Sequence, residues 1–285
     1  ITKKIKFERL LINIIYNIIG VAVMALSFAA CDNIDEADRL IYVEPELPKV
    51  DTTAYPRCIL VEEFSGQFCV NCPDGAKTLH EIQDAYGADT VIVATIHAGS
   101  LALKEDEVPG WIGLANPIGE RFYESVGKPS LPAAVINRQT SAIGRLNWLG
   151  EINKALSLPA FVKLSIERQY DAATRQLNIT VIADANADFN GNLHVWLTED
   201  NIEAYQDYPT TYDEKYIHNN IFRTSLTAEP ISGDAISLSI DAETPSEYQY
   251  NVTLREDYKP ENMSIIAFVD NANGVAQAAR IKLAD

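Results

Sequence analysis

Apolar residues fall into distinct regimes along the chain. Leu10 to Ala30, LLINIIYNIIGVAVMALSFAA, is one run without a charged residue. Asp32 to Pro56 shows neither a helical nor a strand period, and holds Pro45, Pro48 and Pro56. Period returns at Arg57. CILVEEF is a short apolar strand candidate. PDGAKTLHEIQDAYG predicts a helix, with Ala76, Leu79, Ile82 and Tyr86 at helical spacing and Gly87 as its stop. DTVIVATI is continuously apolar, as in a strand buried on both faces. A Gly- and Pro-containing stretch from His97 to Lys128 contains one helix, around Asn116 to Val126. AAVINR predicts a strand, SAIG a turn and NWLGEINKAL a last helix. Together these make an α/β unit of about 100 residues.

After Leu158 the alternation is that of strands. VKLSIERQYD, QLNITVIAD, NLHVWLTED, AISLSID, YQYNVTL, MSIIAFVD and AQAARIKL are separated by turn signals such as Asn190-Gly191 and Asn273-Gly274. Seven strands without helices predict an all-β antiparallel sandwich of Ig-like type. The expected organisation is therefore a leader at 1–30, a tether at 31–56, an α/β unit at 57–158 and a β-sandwich at 159–285.

The leader has Lys3, Lys4, Lys6 and Arg9 before its apolar run, and Ala29-Ala30 directly before Cys31. A basic region, an apolar stretch and small residues before a cut site describe an export signal. The ending resembles a bacterial lipoprotein signal, which implies lipid attachment at Cys31. A plain membrane anchor is the other reading, since the run is about long enough to span a bilayer. Ile1 is not Met, and the natural start is expected upstream. The acidic run DNIDEAD after Cys31 reads either as a solvated tail or, by resemblance, as the surface-export signal of Bacteroidota lipoproteins. Asp51-Thr52-Thr53 resembles a Bacteroidota O-glycosylation site, with Thr52 as acceptor.

Charge narrows the partners. Without the four cations and one acid of the leader, the net charge moves from −17 to −20. Such a chain repels phosphate backbones, so nucleic acid is excluded as a partner and the membrane enters through an N-terminal lipid. No Walker loop, dinucleotide Gly motif or metalloprotease helix motif is present, so no cofactor is expected.

The chemistry concentrates in VEEFSGQFCVNCPDG. A strand ends and Cys69-Val70-Asn71-Cys72 opens a helix. Residues three apart at a helix start lie on one side, close enough for a disulfide. Free N–H groups and the helix dipole there stabilise a thiolate, which makes Cys69 the attacking sulfur and Cys72 the resolving one. In an active pair Cys69 is expected exposed and Cys72 covered. Cys58, within the apolar CILV, reads as an inert buried thiol. Zinc would need two further ligands. No second CxxC exists and His80, His97, His194 and His218 are scattered, so no metal is expected. Strand alternation puts Glu63 on one face with Ile59 and Val61, and Glu62 on the other with Cys58 and Leu60. His97 ends the DTVIVATI strand, at the sheet edge where Cys69 also lies; proton shuttle and loop histidine both remain open. Trp111 and Trp148 read first as core.

ILVEEFSGQFCVNC resembles the active-site strand and turn of thioredoxins. The resemblance implies a buried acid at Glu63 that exchanges a proton with Cys72. It also implies a cis-proline at Leu131-Pro132, before AAVINR, and an insertion at roughly His97 to Gly127. VEEFSGQFCVNCP, TIHAG, PAAVINR and YIHNNIFR before an all-β end resemble the outer-membrane-protein-28-related lipoproteins of Bacteroidota. Tyr216, His218 and Arg223 belong to that last segment, with a structural corner as their default. The resemblance implies an outer-membrane lipoprotein, facing the periplasm or the cell surface, with a thioredoxin-like domain before the sandwich. Two functions stay open. One is thiol–disulfide oxidoreductase on protein thiols, through Cys69, Cys72, Glu63, Pro132 and His97. The other is a surface binding or adhesion protein, with a structural disulfide and a ligand on the sandwich. Support of an outer-membrane complex is a third possibility.

Overall fold

A computed structural model describes residues 54–105 and 107–284, all within one compact unit, Asp51–Asp285. The leader, Cys31 and Thr52 lie outside the described residues. Four strands and two helices surround the cysteine pair: β1 (Ile59–Ser65), α1 (Cys72–Tyr86), β2 (Val91–His97), α2 (Pro117–Ser125), β3 (Ala133–Ile136) and the two-residue β4 (Ile143–Gly144). α3 (Trp148–Leu156) follows them. β1 pairs in parallel with β2 and antiparallel with β3, and β3 pairs antiparallel with β4.

Every residue of β1 and β2 is buried, because helices or strands cover both faces. Ile59 and Val61 pack with Leu79, Ile82, Trp148 and Ile152 beneath α1 and α3. Leu60 and Phe64 enter the opposite core with Phe122 of α2. Each such apolar side chain stabilises the fold by about 1.5–3 kcal/mol through burial. The inward face of α1 is Cys72, Gly75, Leu79, Ile82 and Gln83; Ala76 is only half-buried and Tyr86 is exposed. Gly87 ends the helix at φ 90°.

Ten strands follow among the described residues: β5 (Val162–Asp171), β6 (Gln176–Ala185), β7 (Phe189–Glu199), β8 (Ile202–Asp207), β9 (Tyr212–His218), β10 (Ile221–Ser225), β11 (Asp234–Leu238), β12 (Ser246–Thr253), β13 (Met263–Asn271) and β14 (Gly274–Lys282). The pattern predicted seven. The unanticipated ones are β8, β9 and β10, in a mixed polar stretch without clean alternation. β5, β6 and β12 form a three-stranded sheet. Its apolar side closes a core with β7, β11, β13 and β14. Asn190-Gly191 is not a turn but lies inside β7, pairing with Ser237 and Ile236. Asn273-Gly274 does sit at the turn between β13 and β14.

β10 decides how the halves meet. It pairs antiparallel with β7 and, through Ile221 and Thr95, in parallel with β2. The result is one sheet ordered β14-β13-β7-β10-β2-β1-β3-β4, with β11 also paired to β7. A buried charge cluster crosses it. Arg138 contacts Glu62 at 3.0 Å and Asp270 at 2.6 Å, and His194 lies 3.4 Å from Asp270.

Candidate functional site

Cys69 and Cys72 form a disulfide, with 5.4 Å between their Cα atoms. The loop that holds them is set by close backbone contacts. Phe68 N–H donates to the Leu101 carbonyl at 2.8 Å, and Cys69 N–H to the Gly66 carbonyl at 3.1 Å. A Cβ at Gly66 would lie 2.5 Å from the Leu101 oxygen, so only glycine lets the two backbones approach. Cys72 is the first residue of α1, with Pro73 in its first turn.

Neither sulfur is presented to solvent. Cys69 is 3% exposed and Cys72 1%, while Val70 between them is 39% exposed. The expectation of an open Cys69 is therefore not met in the disulfide form. The β8–β9 hairpin docks on the loop that carries Cys69. Gln206 Nε2 donates to the Cys69 carbonyl at 3.0 Å, and Asp207 N–H to the Gln67 carbonyl at 2.8 Å. The Tyr205 ring meets Phe68 at 5.8 Å and stacks on Trp111 at 4.4 Å. Trp111 is thus a half-exposed platform, whereas Trp148 is a core residue.

Glu63 points to the α1 side, in phase with Ile59 and Val61, as alternation predicts; Glu62 turns to the opposite face and pairs with Arg138. A Cβ at Gly75 of α1 would lie 3.0 Å from Glu63 Oε1, 3.1 Å from Pro132 Cβ and 3.2 Å from Trp148 Cη2. Glu63 and Pro132 therefore both lie against α1 at Gly75, and the Leu131–Pro132 peptide is cis. Thr95 Oγ1 donates to Glu63 Oε2 at 2.8 Å, while Oε1 has no partner. Burial pushes the Glu63 carboxyl up to about 7, against a smaller opposing effect of the Thr95 hydrogen bond.

A cleft of about 680 Å³ opens beside this group, and Glu63, Cys72, His97, Tyr216 and His218 all line it. His97 and His218 meet edge to face at 5.2 Å. Burial holds both well below the usual histidine range, His218 at about 4. They are neutral at pH 7, and His97 Nδ1 has no partner. Of the residues in YIHNNIFR, Tyr216 and His218 reach the cleft. Arg223 does not: it pairs with Glu199 at 3.3 Å and Asp257 at 3.1 Å. Thr95, Tyr205 and Gln206 were missed from sequence, since each depends on the unanticipated β8–β10 segment or on its junction with β2. Cys58 is free and only partly buried, not the fully buried thiol expected. Among the described residues no group of three or more His, Cys, Asp or Glu side chains is placed to hold a metal ion.

Residues 120–284 match the family model described as Outer membrane protein Omp28, more than half of the chain, and the chain belongs to that family. Membership places it at the outer membrane. No helix among the described residues is long and apolar enough to cross a bilayer. The matched stretch starts within α2, downstream of the cysteine pair. Among solved structures the chain is similar to HBP35 of Porphyromonas gingivalis, with TM-score 0.61 and 17% identity over 80% of this chain and 76% of that one. A domain of the outer membrane lipoprotein Omp28 from Porphyromonas gingivalis matches with TM-score 0.31 and 17% identity, over 44% of this chain and 89% of that one. The likeness to HBP35 shows the fold alone. The curated proteins contain no match.

Proposed function

We propose that this outer-membrane lipoprotein is a thiol–disulfide oxidoreductase that works through Cys69 and Cys72. Residues 57–158 are read as a thioredoxin-like unit and 159–285 as a sandwich unit sharing its sheet, with the chain lipid-anchored at Cys31 and tethered by residues 31–56. The observation that carries the reading is Glu63. It is 1% exposed, leaves one carboxyl oxygen unpartnered, and lines the same cleft as Cys72. A structural disulfide has no use for a buried carboxyl, which costs stability when it ionises. A redox pair does. An incoming thiolate bonds to Cys69 as the Cys69–Cys72 bond breaks, and Cys72 leaves as a thiolate that needs a proton. A carboxyl titrating near neutrality can supply that proton and take it back.

The size of the loop supports the same reading. Closing so short a loop restricts the unfolded chain by only about 2 kcal/mol, a small return for a purely structural bond. Pro132, in contact with the α1 start, and His97, in the cleft, are assigned to the same site as substrate-facing and proton-tuning groups. The client class is a protein thiol or disulfide.

A second reading is favoured by a different observation, the burial of both Cys69 and Cys72. In it the disulfide is structural, and the protein is a surface binding lipoprotein with its ligand on the sandwich. The test is trapping: with Cys72→Ser, the redox reading expects a mixed disulfide between Cys69 and a client. If no adduct forms and Cys69 resists alkylation without denaturant, the binding reading replaces it.

A further inference from the structure

We infer that the β8–β9 hairpin is an autoinhibitory flap over the cysteine pair, and that exchange at Cys69 requires the hairpin to swing away from the loop. The inference takes its purpose from the redox reading, but its geometry stands independently of it.

The hairpin is built as a separate piece. β8 and β9 pair only with each other, as a two-stranded sheet outside the main one. A lone two-stranded hairpin is marginal in water, so its position depends on what it docks against. On one side that is the cysteine loop, held by the two hydrogen bonds from Gln206 and Asp207 and by the Tyr205 ring. Gln67 Nε2 adds a bond to the Tyr205 carbonyl at 3.3 Å. On the other side His218 meets His97, and Ile202 and Ala204 of β8 pack against Leu114 and Ile221 near the base. Tyr212 to Lys215, the outer part of β9, face solvent. Tyr208 and Tyr216 of the hairpin segment and His80 of α1 line the same cleft.

The base has the form of a hinge. Asn201 and Asn220 flank the hairpin and both adopt φ 57°. Asparagine tolerates this left-handed conformation better than most residues. The two ends are tied together. Asn201 N–H donates to Asn219 Oδ1 at 3.0 Å and Asn220 N–H to Asp200 Oδ1 at 2.7 Å. A closed base with a weakly attached tip can open by breaking the tip contacts alone. The tip contacts fall on Gln67, Phe68 and the Cys69 carbonyl, so release of the tip frees the loop that carries Cys69.

The test measures rate and equilibrium separately in the full chain. Dithiothreitol reduces the disulfide, and alkylation followed by mass spectrometry counts the free thiols with time. Gln206→Ala and Tyr205→Ala each remove a docking contact and should be reduced about two- to tenfold faster than the parent, the factor expected from losing one net interaction. Equal rates in the parent, Gln206→Ala and Tyr205→Ala overturn the flap. The reduction potential reports on the redox reading instead. A working potential with unmoved rates sinks the flap and spares the enzyme; faster variants with a very low potential do the reverse. Hydrogen exchange on the unmodified protein covers the case in which a variant fails to fold. The Asp207 amide should exchange well before the amides of β1 and β2, and exchange as slow as theirs overturns the flap.

Discussion

Thr95 donates its hydroxyl to Glu63 Oε2 at 2.8 Å and its backbone N–H to the Asn220 carbonyl at 2.7 Å. One residue therefore steadies the buried carboxyl and joins β2 to the segment that carries the hairpin. The hydroxyl favours the ionised carboxylate, so removing it must move the Glu63 pKa further up. Thr95→Val should raise the carboxyl titration seen by infrared spectroscopy. A titration that stays at its parent value, or falls, contradicts the assigned role.

Glu63 also sets a pH dependence of stability. Its pKa rises from 4.5 to about 7 on folding, so the folded state favours the neutral acid. That contribution is complete below the unfolded value and is lost as pH climbs through about 7. The shift corresponds to roughly 3 kcal/mol as an order of magnitude. Glu63→Gln should remove this slope and gain on the parent by about that amount at pH 8. His218 acts in the opposite sense. Its folded value is depressed to about 4 from 6.5, so its contribution is present above 6.5 and fades as pH falls toward 4. Subtracting the Glu63→Gln curve from the parent curve isolates the glutamate. A flat difference between pH 4.5 and 7 would rule out the buried acid.

Arg138 binds Glu62 of β1 and Asp270 of β13 while lying over the Phe268 ring at 4.8 Å. Removing the guanidinium strands two buried carboxylates, which typically costs about 3–5 kcal/mol. Arg138→Met should lower the denaturation midpoint accordingly and leave the rate of disulfide reduction almost unchanged, since the cluster lies on the face of the sheet away from α1. A loss under about 1 kcal/mol would mean that the cluster is weakly coupled to folding.

Replacing the pair separates structure from chemistry. The double variant Cys69→Ser, Cys72→Ser should lose only about 2 kcal/mol of stability, because the loop it opens is short. Chemical denaturation of the reduced parent and of the variant should agree. Collapse of the fold in either would favour the structural disulfide.

Much of this was legible in the sequence because it rests on local pattern. β1, α1, β2, β3 and α3 follow from apolar periodicity and a glycine stop. The opposite facing of Glu62 and Glu63 follows from strand alternation, and the cis bond at Pro132 from resemblance. The cover over the site was not legible. Ile202 to Ser225 is rich in Tyr, Asp and Asn. β8 and β9 form a half-exposed hairpin whose outer strand faces water, so no clean apolar face betrays it. β10 is short, and its five residues join the main sheet by antiparallel pairing with β7 and one parallel pairing with β2. Partners so distant in sequence leave no local signal. That hairpin docks on the Cys69 loop from a part of the chain distant in sequence, a contact that spacing alone does not reveal.

The central claim is that Cys69 and Cys72 exchange electrons with a client, and the equilibrium reduction potential of the pair tests it most directly. Equilibrating the full chain in glutathione buffers and counting alkylated thiols gives the value. A potential between roughly −120 and −270 mV is the predicted result, the range of working thiol–disulfide proteins. A potential well below about −300 mV would contradict the claim and leave a structural disulfide.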